Sequence, residues 1–390
     1  MSALVRDRIT WLTYSQMALF AWFMYGLGAT IAIVRDEQGT SRTLAGLHGT
    51  ALAAAGIIAG LAAAGLIGSV GRGRLIQLTG LATTLCVLLY ITPSGGYPVT
   101  MAAVFGVGLV GSLFIIALNA FLLEYHGPFG AAALTESNAL ASFIGLISPL
   151  VIGLCAATLL GWRAGMVVMI IGLVITVFLR GRSPTPTTTA PAAAEDRRGP
   201  MPKGFGWSMA LVMCFLGSEF ALVFWTPDLL RERGGFTAAA AAAALGAITA
   251  GMAIGRLMGS RLTVRFTTDT LLKSSTTIAL VGFIITWAIP NAVVILIGLL
   301  ITGLGLGVLW PFGLARAVAA SGGRTNHAAA RAGLATSVAL ATAPFALGFV
   351  ADLTNLHIAL LLVGAMLVAA LFILQFRPVD VPVPQTAAGH

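Results

Sequence analysis

The amino-acid sequence predicts an all-α integral membrane protein of twelve transmembrane helices in two pseudo-symmetric six-helix halves. Three observations carry that expectation. Hydrophobic residues make up 58% of the 390 positions and charged residues only 9%, with a mean hydropathy of +0.96, whereas soluble domains carry about 25% charged residues. Apolar runs recur at the length of about 20 residues that a helix needs to cross a hydrocarbon core about 30 Å thick. A polar, proline-rich stretch divides the runs six and six.

The first run, 11–34, follows Arg6 and Arg8. It is longer than a signal-peptide core and no small-residue cleavage site follows it, so a retained helix is expected. Runs 45–69, 74–92 and 97–123 come next, the first two joined by a basic glycine-rich stretch from Gly65 to Arg74. Runs 134–159 and 162–179 complete an N-terminal half over 1–180. Residues 181–206 hold Pro184, Pro186, Pro191 and Pro200 beside Glu195, Asp196, Arg197 and Arg198, the composition of a cytoplasmic linker. The C-terminal half, 207–390, holds runs 207–230, 237–262, 270–289, 292–317, 328–351 and 357–376. Continuous apolar runs differ from the alternating pattern of a membrane β-barrel.

Lys and Arg number 22 against 13 Asp and Glu, but they stand at the ends of apolar runs and form no basic face, so nucleic acid is not an expected partner. With the N-terminus inside, only Arg35, Arg42, Arg163, Arg231 and Arg233 fall outside. Nearly all the rest fall inside, among them Arg72, Arg74, Arg180, Arg182, Arg197, Arg198, Lys203, Arg261, Arg265, Arg316 and Arg377. The positive-inside rule then places both termini in the cytoplasm of a multi-pass protein of the inner (plasma) membrane. Cys86, Cys155 and Cys214 lack metal or disulfide spacing, so they read as packing residues, and neither metal nor cofactor is expected.

The halves repeat at a nearly constant offset. Pro149 and Gly153 correspond to Pro344 and Gly348; Gly68-Ser69 with Arg72 corresponds to Gly259-Ser260 with Arg261; Gly106, Gly108 and Gly111 correspond to Gly303, Gly305 and Gly307. Small residues of this kind let membrane helices approach closely, and duplicated halves can rock about a shared midplane site.

The 6+6 division, the charged linker and the basic loop from Gly65 to Arg74 resemble the major facilitator superfamily over essentially the whole chain. The loop departs from the family pattern, because Ser69 and Val70 stand where an Asp followed by a basic residue is usual. That weakens the expectation of an inward-side latch there. Gly255-Arg256 and the segment ending at Asp352 are closer to the family pattern, and the Asn119-Ala-Phe stretch leans toward the sugar-permease-like branch. The resemblance implies a secondary active transporter whose first, fourth, seventh and tenth helices line the path. It assigns Trp22, Tyr25, Asn119, Trp225 and Trp310 as substrate-binding candidates, and Asn138, Pro149, Arg256 and Pro344 as gating candidates.

Glu219 is the acid placed deepest in a run. A carboxylate at that depth costs several kcal/mol unless wet or paired, which makes it functional by default. Proton coupling, binding of a cationic substrate and a static hydrogen bond are the three roles open to it. No HExxH, Gly-x-Ser-x-Gly or Walker loop occurs, so neither an enzyme nor an ATP-driven pump is expected. The function expected is secondary active transport of a small neutral or cationic organic solute, coupled to protons, by alternating access in a monomer, with symport as the working mode. The alternatives are a drug/proton antiporter exporting lipophilic cations, or a uniporter.

Overall fold

The computed structural model describes residues 4–93, 95–181, 201–202, 204–262, 265–377 and 379. Most of the expected linker, with Arg182, Arg197, Arg198 and Lys203, lies outside the described residues, as does the chain end from 380. Helix without strand makes up the described residues. Among them 12 helices are long and apolar enough to cross a membrane. They are α1 Arg8–Gln38, α2 Arg42–Ala63, α3 Arg72–Tyr90, α4 Gly96–Phe129, α5 Ala132–Ala156, α6 Gly161–Arg180, α7 Phe205–Gly234, α8 Ala238–Gly259, α9 Thr268–Ala288, α10 Ala292–Ala319, α11 His327–Leu353 and α12 Leu356–Phe376.

The helices outrun the apolar stretches because their ends are set by caps rather than by hydropathy. Expected over 11–34, α1 begins at Arg8 because the Asp7 side chain accepts from the Thr10 N–H, and it stops after Gln38 because Gly39 takes φ 62. That left-handed conformation costs glycine little, and it satisfies the last carbonyls of the helix. The helix of α2 continues to Val70, and Gly71 at φ 82 turns the chain into α3.

The chain divides into two compact units, Met1–Ala192 with Thr237–Ala243, and Ala193–Phe236 with Ala244–His390. In the first, α1 packs along α5 and α6, α2 along α4, and α3 along α4 and α6. In the second, α7 packs along α11 and α12, α8 along α10, and α9 along α10 and α12. One pairing plan therefore serves both units, as the repeated motifs predict.

The α8–α10 seam is built on glycine. A Cβ added at Gly251 or Gly255 of α8 would fall on the carbonyl oxygen of Leu300 or Leu304; one at Gly303 or Gly307 of α10 would fall on that of Ile248 or Met252. In the α2–α4 seam, an added Cβ at Gly108 would fall on the carbonyl oxygen of Leu52, while one at Gly56 would stand 3.9 Å from that of Gly108, an ordinary contact. Both partner helices are irregular near these glycines. Val107–Gly111 of α4 forms a π turn, and α10 is interrupted between Leu306 and Leu309.

Candidate functional site

Glu219 sits in the middle of the 30-residue helix Phe205–Gly234. Its side chain is half-buried and makes no hydrogen bond or ion pair among the described residues. The positive charge of Arg256 on α8 lies close enough to act on it. Arg256 is itself held in place, its Nε donating to the Gly307 carbonyl oxygen at 3.1 Å. In an uninterrupted helix that oxygen would accept from the N–H of residue 311. Residue 311 is proline, which has none. Arg256 thus fills a vacancy that Pro311 creates at the break in α10.

The two tryptophans engage the backbone of their own units. Trp22, 5% exposed, donates from Nε1 to the Gly165 carbonyl at 3.1 Å, and Ser148, the neighbour of Pro149, donates to the Trp22 carbonyl at 2.7 Å. Trp225, 1% exposed, donates from Nε1 to the Pro344 carbonyl at 2.9 Å. Each tryptophan therefore ties the first helix of its unit to neighbouring helices, and the structure brings Trp225 and Pro344 together. Burial of this kind differs from the surface position of an interfacial belt residue.

Tyr25 lays its ring against Gly145 of α5, where a Cβ would come within 2.5 Å of it. Asn119 keeps a buried Oδ1 without a hydrogen-bond partner among the described residues. The Asn138 side chain donates to the Leu134 carbonyl at 2.9 Å, one turn back on its own helix. Trp310 stands beside Pro311 at the start of the second segment of α10. Among the described residues Ser69 donates to Leu66 of its own helix, while Arg72 is paired with Glu124 of α4.

Sequence reading missed two polar clusters in the first unit. Arg180, 4% exposed, donates to Thr13 and Gln16, each at 2.9 Å, and lies 4.5 Å above the Phe121 ring. A cavity of about 550 Å³ bordered by Arg8, Arg180, Tyr125 and Asp7 adjoins it. Burial pushes the Asp7 carboxyl up, but hydrogen bonds from Thr10 and Tyr125 outweigh it and hold the group below the usual carboxylate range. At the other end of α1, a cavity of about 340 Å³ gathers Glu37, Gln38, Tyr90, Thr100, Trp162 and Arg163. A Gln at position 16 inside an apolar run was the one sequence signal for either cluster.

A duplicated six-helix plan with an ionisable group at mid-helix depth defines a multi-pass membrane transporter. The chain belongs to the Major Facilitator Superfamily, whose family model matches residues 13–285. Among solved structures it is similar to a D-xylose–proton symporter, with a TM-score of 0.74 and 15% identity over 96% of this chain and 98% of that one. It is also similar to a bacterial homologue of the human lysosomal transporter Spinster in its inward-facing, occupied conformation, with a TM-score of 0.74 and 14% identity over 96% and 97%. A third is the E. coli fucose–proton symporter, with a TM-score of 0.60 and 16% identity over 95% and 98%. Identities this low establish the fold alone. No curated protein matches the sequence significantly.

Proposed function

We propose that this transporter is proton-coupled and moves a small neutral or cationic organic solute by alternating access between its two six-helix halves, with Glu219 taking up and releasing the proton. The observation that carries this reading is the position of Glu219 in the middle of a membrane-length helix without a hydrogen bond or ion pair among the described residues. A carboxylate so placed is stable there in its protonated form or when wet, which is what a group that alternates between two faces requires. The nearby charge of Arg256 favours proton coupling over direct capture of a cation, because a cationic solute at Glu219 would be repelled by that guanidinium. Fold relatives named as proton symporters agree with this reading.

In this proposal Asn119, Tyr25 and Trp310 are the substrate-binding residues. Trp22 and Trp225, whose indole N–H groups are engaged by backbone carbonyls, position the helices that carry the site. Pro149, Pro344, Asn138 and Arg256 act in gating. Both termini are cytoplasmic in the plasma membrane, the chain works as a monomer, and reporters fused after Arg198 and at His390 should both give a cytoplasmic signal.

The deciding experiment is Glu219→Gln in proteoliposomes with an imposed pH gradient. The neutral amide imitates the protonated acid, so solute exchange should persist while uphill accumulation stops. Continued pH-driven accumulation by the variant would overturn the assignment, and loss of solute binding itself would instead make Glu219 a cation ligand.

A further inference from the structure

The cavity at the Gln38 end of α1 is polar, enclosed by four helix ends of one unit, and remote in sequence from Glu219. Its wall is contributed by α1, α3, the start of α4 and the start of α6. The volume of about 340 Å³ is far above the roughly 30 Å³ share of one water molecule and falls within the range of small-ligand pockets, about 300–1,000 Å³.

The hydrogen-bonding capacity of this wall is uneven. Arg163 forks onto Glu37, with Nη1 at 2.9 Å from Oε1 and Nη2 at 2.6 Å from Oε2. Trp162, 3% exposed, donates to Glu37 Oε1 at 2.8 Å, and the Arg163 Nε donates to the Ile91 carbonyl at 3.0 Å. Three of the five Arg163 N–H groups are therefore engaged, and the ion pair is neutral as a whole. Acceptors remain beside the donors left over. Gln38 Nε2 donates to Thr100 Oγ1 at 3.0 Å, an oxygen that also stands 3.1 Å from His48 Nε2, yet Gln38 Oε1 is buried without a partner among the described residues. Thr100 Oγ1 gives its own hydrogen to the Tyr97 carbonyl at 3.1 Å, so it must accept from Gln38, and this orientation leaves the amide oxygen over. Glu37 Oε2 accepts one bond and a carboxylate oxygen has room for two. Tyr90, 1% exposed, has its hydroxyl shared with Thr30 at 2.9 Å and its ring set edge-on to Trp162 at 5.8 Å.

A ligand for this cavity should carry no net charge and offer hydroxyls that both donate and accept, against a wall in which the Arg163 guanidinium already covers the Trp162 ring at 4.6 Å. The geometry points to a second solute site in the first unit, taking a small neutral polyol or monosaccharide, with Gln38 Oε1 and Glu37 Oε2 as acceptors and Tyr90 as its apolar wall. An ammonium would satisfy the acceptors but would also face the Arg163 guanidinium, so a neutral hydroxyl-rich molecule fits the wall better. The site stands whether or not Glu219 carries the proton.

The test uses the full chain with Cys86, Cys155 and Cys214 replaced by Ser and Thr92, on the cavity rim, replaced by Cys. Modification of Thr92→Cys by a charged thiol reagent is followed by intact mass while sorbitol or D-xylose is titrated, with methylammonium as the cation control. Either polyol should slow modification several-fold and saturably. Adding Gln38→Leu should abolish the protection, and adding Glu219→Gln should leave it intact. Where Gln38→Leu lowers the melting temperature of the parent, Gln38→Ala is read in its place. The inference is overturned by any of four results: no saturable protection, protection by methylammonium equal to that by the polyols, protection that survives removal of the Gln38 amide, or protection that disappears with Glu219→Gln. The last would mean that the rim only reports events at the acid.

Discussion

In the α8–α10 seam, an added Cβ at any of four glycines would fall on a backbone carbonyl of the facing helix; in the α2–α4 seam Gly108 repeats this, but Gly56 meets a carbonyl only at 3.9 Å and Gly60 and Gly65 of α2 have nothing within 4 Å. The two seams occupy the same place in the same helix-pairing plan, so topology did not dictate the difference. What differs is the neighbour each seam must support. The α8–α10 contact carries Arg256 and, through it, the break at Gly307 and the field on Glu219. Close backbone approach there brings a guanidinium on one helix within reach of a carbonyl on the other, and any larger residue would move them apart.

The largest expected effect breaks this comparison directly. Gly303→Val drives a side chain into the Ile248 carbonyl, and overpacking of this kind costs about 1–3 kcal/mol or more. By contrast, Gly60→Val on the exposed face of α2, where an added Cβ meets nothing within 4 Å, should stay within roughly 0.5 kcal/mol, as exposed substitutions do. Thermal unfolding of the two variants in detergent reads the difference, and equal losses would mean that the Gly303 contact is no tighter than an exposed face.

A smaller effect sharpens the role of Arg256. Arg256→Met removes a charged donor from the Gly307 carbonyl and should destabilise by roughly 1.5–3 kcal/mol. In a Pro311→Ala background the helix itself can supply an N–H to that oxygen, so the same substitution should cost clearly less. An additive double mutant would show that Arg256 and Pro311 do not share the carbonyl.

The smallest effect should be the same in both units. Trp22→Phe and Trp225→Phe each delete one buried hydrogen bond to a backbone carbonyl, worth about 1 kcal/mol, and solute affinity should be little changed. A variant with normal melting but lost solute binding would return that tryptophan to the substrate site.

The spans were legible in the sequence because a bilayer demands a fixed length of apolar helix, and the repeat was legible because glycine and proline mark backbone events that both halves need. Helix ends were less so. The first run was expected to begin at residue 11, but the Asp7 cap starts the helix at Arg8, and a polar cap lies outside any hydropathy window. Glu219 stood out by depth alone. Pro311 lay unremarked inside the tenth run, since the orphaned carbonyl it leaves matters only once the fold shows Arg256 beside it. Glu37, Gln38, Tyr90 and Trp162 come from three helix ends and carry no shared motif, so only tertiary structure gathers them around one cavity.

The π turn at Val107–Gly111 has a consequence for the reading frame of side chains along α4. A π turn takes up one residue more than the α-helical turn it replaces, so the segments on either side already keep their facing directions despite the extra residue. Removing one residue from a plain α-helix swings everything beyond it by about 100°. Removing Leu109 would instead let the wide turn close to an ordinary one, leaving Thr100 and Val104 on one side and Phe114 and Phe121 on the other aimed as before. Within α4, the chain can shorten by a residue at this point without turning either flank away from its neighbours.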